Sequence, residues 1–114
     1  MSECLFCKMI SGEIAPDKVY EDDDVLAFRD ISPQAPHHVL VIPKEHISTL
    51  NDLDAWHAPL LGKMYLAVKE IAKQAGVAES GYRTVMNCNQ DGGQTVYHIH
   101  LHMLAGRDMQ WPPG

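Results

Sequence analysis

Residues 98–104 read His98-Ile99-His100-Leu101-His102-Met103-Leu104, and this stretch decides how the rest of the chain is read. Histidine recurs at every second position, with an apolar residue in each gap. A period of two belongs to extended backbone, whose successive side chains point to opposite faces. The spacing therefore predicts a strand that carries His98, His100 and His102 on one face and Ile99, Leu101 and Met103 on the other. A helix would scatter the same three imidazoles around its circumference. Three readings of the row stand side by side: a polar strand face that happens to be histidine, a metal site built on His-X-His, and proton or group transfer by imidazole.

Length and composition narrow the context. A chain of 114 residues makes one domain, spanning 1–114, with room for a core. Its 46% hydrophobic and 21% charged residues are those of a soluble globular protein. A net charge of −6 argues against a general nucleic-acid groove, which needs clustered Lys and Arg. No run approaches the roughly 20 apolar residues of a membrane span, and no basic-then-apolar leader opens the chain. The cytoplasm is the expected compartment. Cys4, Cys7 and Cys88 cannot form a complete disulfide set, so thiols or metal ligands are expected.

Outward from the histidine row, the predicted order is short helix, three strands, long helix, two strands. Cys4 to Ile10 predicts a short helix stopped at Ser11-Gly12. Lys18 to Glu21 and Val25 to Arg29 predict a hairpin turned by Asp22-Asp23-Asp24. Pro33 and Pro36 hold the next segment as a loop, and His38 to Pro43 predicts a central strand buried on both faces. Leu60, Leu61, Met64, Tyr65, Val68, Ile71, Ala72 and Ala75 recur at helical spacing between Asp54 and Gly76. Pro59 belongs in the first turn of that helix, which places its regular start near 56 to 58. Tyr82 to Asn87 predicts another strand, and Asn89 to Gln94 a tight polar loop. The fold class is α+β, an antiparallel sheet with one long and one short helix.

The loop before the histidine row has its own chemistry. Gly92 and Gly93 allow unusual dihedrals and close backbone approach, while Gln94 and Thr95 add neutral donors. Backbone amides and neutral donors suit a phosphate held without excess positive charge.

Taken together, these segments resemble the histidine triad (HIT) family, whose signature is His-φ-His-φ-His-φ-φ with φ apolar. The similarity extends over nearly the whole chain: Glu21-Asp22-Asp23, Ala27 to Pro36, Leu40 to Lys44, Asp91 to Gln94 and Trp111-Pro112-Pro113-Gly114 all fit, in order. The nucleotide-binding Hint branch is the nearest in pattern. That resemblance implies a five-stranded HIT-like fold that dimerises into a ten-stranded sheet, and hydrolysis of purine nucleoside phosphoramidates such as adenosine phosphoramidate and adenylyl-lysine. It implies AMP or GMP as ligands, with neither nucleic acid nor membrane as partner.

Residue by residue, it implies that His100 attacks the α-phosphate, that His102 binds the phosphate, and that the His98 backbone fixes the tautomer of His100. His38 completes the histidine set. Asp30, beside Ile31, would hold the ribose; Phe6, Phe28 and Leu40 would line the base pocket. Asn87, Gly93, Gln94 and Thr95 would meet the phosphate, with Thr95 standing where the branch commonly has serine. The tail from Trp111 would pack near the dimer interface. No cofactor is required for that catalysis. Cys4-x-x-Cys7 has metal-ligand spacing and equally fits two ordinary thiols on a short helix; the resemblance adds His46 and His98 as the partners of a structural zinc, which four such ligands would close.

Overall fold

The computed structural model describes residues 3–114. A short helix α1 (Leu5–Ile10) leads into strands β1 (Lys18–Glu21), β2 (Val25–Arg29) and β3 (His37–Pro43). Two single-turn 3₁₀ segments introduce the long helix α2 (Ala58–Gln74), followed by β4 (Tyr82–Val85), a one-turn helix α3 (Asn89–Gly92) and β5 (Leu101–Ala105). The five strands form one antiparallel sheet in the order β1-β2-β3-β5-β4. The crossover through α2 leaves a gap beside β3, and β5 fills it, so the histidine stretch feeds the middle of the sheet.

Local chemistry sets the β1–β2 turn and both ends of α2. In the β1–β2 turn, the Asp22 carboxylate accepts the backbone N–H groups of Asp24 (2.8 Å) and Val25 (2.9 Å). Pro59 sits in the first turn of α2, and the helix stops at Ala75 with Gly76 at φ +75° behind it.

Side-chain alternation then divides the sheet into two faces. Val25, Ala27, Val39, Val41, Leu101 and Met103 pack against Met64, Ala67, Val68 and Ile71 of α2 to make the larger core. On the opposite face, Leu26, Phe28, Leu40 and Ile42 pack against Phe6 of α1. β3 is buried on both faces, as its apolar run predicts. Each large apolar side chain so buried contributes about 1.5–3 kcal/mol against exposure, and α2 places most of that on one face.

Three boundaries differ from the sequence expectation. The β5 ladder begins at Leu101, opposite Val41, rather than at His98. Pro43 has no N–H to continue the pairing, and the Ile99 N–H turns instead to the Ile47 carbonyl at 2.8 Å. The alternation of side chains survives beyond the ladder, with Ile99 fully buried in the larger core. Asn89 to Gly92 forms a helical turn where a loop was expected, and β4 ends at Val85, short of Asn87. Among the described residues, no helix is long and apolar enough to cross a membrane.

Candidate active site and metal-ligand cluster

The three triad imidazoles have different surroundings. The His100 Nδ1–H donates to the His98 carbonyl oxygen at 2.8 Å, which leaves Nε2 as a lone pair. Burial holds the His100 pKa below the usual histidine value, against the opposing effects of that hydrogen bond and of Asp30. The Phe6 ring meets His100 edge-on, with centroids 5.1 Å apart.

His102 belongs to a directed chain. The Gln34 backbone N–H donates to His38 Nδ1 at 3.0 Å, so the neutral His38 ring carries its proton on Nε2. That Nε2 lies 2.9 Å from His102 Nδ1 and donates to it, which assigns the His102 proton to its own Nε2. Asp30 lies 3.5 Å from His38 Nε2, and its other carboxylate oxygen accepts the Ser32 N–H at 2.8 Å. Burial, then the neighbouring His100 and His38, push the His102 pKa down to about 4. Burial also lowers His38, with Asp30 working in the opposite direction. A neutral lone pair on His100 and a neutral N–H donor on His102 thus stand side by side, their ring centroids 5.1 Å apart.

Both rings open onto a cavity of about 380 Å³. Phe6, Phe28 and Leu40 line its apolar part; Asp30, Ile31 and Thr95 border it as well. An apolar slot with a few polar groups at one side is the usual form of a small-molecule site. Ile31 is 96% exposed and serves only as rim. Met9, Ile14, Pro16 and Val96 also line the cavity and were not picked out from the sequence; the apolar spacing of Phe6 and Met9 on α1 was the available signal.

The remaining expected residues sit around this cavity rather than in its wall. His38 lies behind His102, and His98 faces away. Asn87 is half-buried with Gly92 against its backbone, and Gly93 ends α3 at φ +81°. Gln94 departs most from expectation. Its Oε1 accepts the Asn89 N–H at 2.8 Å, while its Nε2 donates to the Ser48 and Val96 carbonyls at 2.8 and 3.1 Å. Its own backbone N–H is taken by the Asn89 carbonyl. Those bonds commit its polar groups to bracing the loop, so the expected phosphate contact does not fit the geometry of Gln94.

The ring of His98 belongs to a second constellation. Its Nε2–H donates to the Pro43 carbonyl at 2.8 Å, leaving Nδ1 as the available ligand atom. Around that Nδ1 lie Cys4 Sγ at 3.4 Å, Cys7 Sγ at 3.6 Å and His46 Nδ1 at 3.1 Å, with Cys7 Sγ and His46 Nδ1 3.3 Å apart. Bonds of about 2.3 Å to sulfur and 2.0–2.1 Å to nitrogen give a zinc tetrahedron edges of roughly 3.3–3.8 Å. The four ligand atoms therefore have the spacing and chemistry of a Cys₂His₂ site. Burial pushes the His98 pKa down to about 4, keeping the ring in the neutral form a metal needs. The Pro43 carbonyl orients it from behind. The triad itself does not converge on one point, because His98 faces the cysteines while His100 is turned to a carbonyl. Asp30, His38 and His102 also lie within 4.8 Å of one another, but there the shared His38 Nε2 is a hydrogen-bond donor.

Comparison with known proteins gives a concordant pattern. Residues 3–111 match a family model described as scavenger mRNA decapping enzyme C-terminal binding. The purine nucleoside phosphoramidase of Escherichia coli is 55% identical over 107 residues, covering 94% of this chain and 90% of that protein. A 14 kDa zinc-binding protein of Zea mays is 50% identical, covering 99% of this chain and 89% of its own length. The crystal structure of a HIT family hydrolase from Legionella pneumophila superposes with a TM-score of 0.97 at 54% identity, covering 98% of this chain and 100% of that one.

Proposed function

This chain belongs to the histidine triad superfamily, and we propose that within it the protein hydrolyses purine nucleoside phosphoramidates through a nucleotidyl-histidine intermediate. The observation that carries this reading is the 2.8 Å bond from His100 Nδ1–H to the His98 carbonyl, which leaves Nε2 as the nucleophilic lone pair beside the cavity.

The substrate's purine lies between Phe6, Phe28 and Leu40, and its ribose hydroxyls reach Asp30. The α-phosphate meets His102 Nε2–H and Thr95, with Gly93 and Asn87 alongside. His100 Nε2 attacks phosphorus, and the phosphorus–nitrogen bond to the amine breaks. The departing amine takes a proton relayed by the Thr95 hydroxyl or His102. Water then attacks the nucleotidyl-histidine and returns a proton to that relay, releasing AMP or GMP and restoring the His100 lone pair. His38 acts from behind, by fixing His102 as a donor. Neutral imidazoles serve both steps, and burial keeps them neutral.

We infer that the Cys4, Cys7, His46 and His98 cluster holds a structural zinc, which supplies folding energy by tying α1 to the sheet. The protein acts as a homodimer in this reading, with the tail from Trp111, 81% exposed in the single chain, lying against the partner.

The test is intact-mass analysis during turnover of adenosine phosphoramidate, alongside His100→Ala. A nucleotidyl adduct mapping to His100 is expected. The variant should lose about three orders of magnitude in rate or more while still binding AMP. Wild-type turnover by His100→Ala would end the reading.

A further inference from the structure

We propose that metal loading at Cys4, Cys7, His46 and His98 sets the affinity of the adjoining cavity for nucleotide and the orientation of His100. This inference rests on the reading of that cavity as the nucleotide site.

Two mechanical links run from the cluster to the cavity. The first is α1. Six residues are too few to hold a helix unaided, so α1 depends on what anchors it. One anchor is Phe6, which is buried among Phe28, His98 and His100 at centroid distances of 5.5, 5.8 and 5.1 Å. The other is the cluster, because Cys4 caps the helix and Cys7 lies one turn on. These two thiols flank Phe6 in sequence, so metal bonds to both fix the rotation of α1. They thereby fix the plane of the aromatic wall that faces the base.

The second link is His98. Its ring is held between the cluster at Nδ1 and the Pro43 carbonyl at Nε2, and its own carbonyl accepts the His100 Nδ1–H. Loss of the metal bond leaves the His98 ring held only from the Pro43 side and by its packing on Phe6, and the main-chain acceptor of the nucleophile shifts with it. His46 is exposed, and a shallow cavity bordered by Glu3, Cys4, His46 and Ser48 gives an ion access from solvent. Uptake of Zn²⁺ by two thiols and two neutral imidazoles releases two protons to solvent and changes no oxidation state.

The experiment compares zinc-loaded full-length protein with protein stripped by a chelator, with metal content measured for each and folding confirmed by thermal melting. Calorimetry with AMP reads affinity. The ¹⁵N shifts of the His100 ring and the ring signals of Phe6 read orientation. Stripping is expected to weaken AMP binding by about five-fold or more and to move both sets of signals, with recovery on adding Zn²⁺. Should the stripped protein unfold, His46→Gln replaces it: this variant lacks the exposed ligand and keeps Cys4, Cys7 and His98, and the same weakening is expected. Equal AMP affinity and unchanged His100 and Phe6 signals after verified metal loss would overturn the proposal and leave the nucleotide reading standing. Failure to take up about one equivalent of Zn²⁺ would overturn it too. Failure of both forms to bind AMP would overturn the nucleotide reading itself, and this proposal with it.

Discussion

Replacing Gln94 by alanine distinguishes a loop brace from a phosphate ligand. The side chain is 7% exposed and makes three hydrogen bonds, at 2.8, 2.8 and 3.1 Å, to Asn89, Ser48 and Val96. Each such bond contributes about 1 kcal/mol net, and main-chain groups left unpaired in a closed site cost more. Some rehydration offsets the loss, so Gln94→Ala should destabilise the protein by about 2–4 kcal/mol. At about 4 °C per kcal/mol for a domain of this size, the melting temperature should fall by roughly 8–16 °C. Differential scanning calorimetry at fixed protein and zinc concentrations measures it. Gln94→Glu sharpens the comparison. One oxygen still accepts the Asn89 N–H, but the other now faces the Ser48 and Val96 carbonyls. The variant should therefore be at least as unstable at pH 7 and regain stability as its carboxyl protonates in acid. A Gln94→Ala melting temperature within about 2 °C of the parent, together with a hundred-fold loss of turnover, would refute the brace and restore the phosphate role.

Two further outcomes follow from particular positions. Gly106 has φ +96°, and a Cβ there would lie 2.8 Å from Pro36 Cβ and 3.0 Å from its Cγ. The proline ring cannot swing aside, so Gly106→Ala should cost about 1–3 kcal/mol by urea unfolding. Gly12→Ala, at φ +87° with open space around it, should cost less. Stability should also fall as pH drops from about 6.5 to about 4. His102 has its folded pKa depressed to about 4 from 6.5, so the unfolded chain takes up the proton first and the loss grows across that window. His102→Gln should flatten that part of a melting-temperature profile, and an unchanged slope would count against the assignment.

Much of the fold was legible because its signals are local. β1 and β2 fall where the two short runs and the Asp22-Asp23-Asp24 turn put them, and α2 has Pro59 in its first turn and ends just before Gly76. The start of β5 was not legible, because it depends on Pro43 and on the Ile47 carbonyl across the sheet. The α3 turn escaped for a similar reason: the Gln94 side chain reaches back to Asn89, and a Gly-Gly sequence fits a loop as well as a helix end. Gln94 itself shows the limit of reading by residue type. A neutral donor next to a histidine row serves a phosphate or a carbonyl equally, and only Ser48, 46 positions away, decides between them. In the cluster, the Cys4-x-x-Cys7 spacing was visible directly, whereas His46 and His98 required the family resemblance.

The protonation pattern of the site is written largely by the main chain. The Gln34 amide sets His38, the His98 carbonyl sets His100, and the Pro43 carbonyl sets His98. None of these three groups titrates, and none depends on which side chain its residue carries. The roles of donor and nucleophile are therefore inherited through the path of the backbone. Position 34 is free to drift in side-chain chemistry so long as it keeps its N–H and that path holds, and a comparison of residue identities alone would pass over one of the points that keep the site poised.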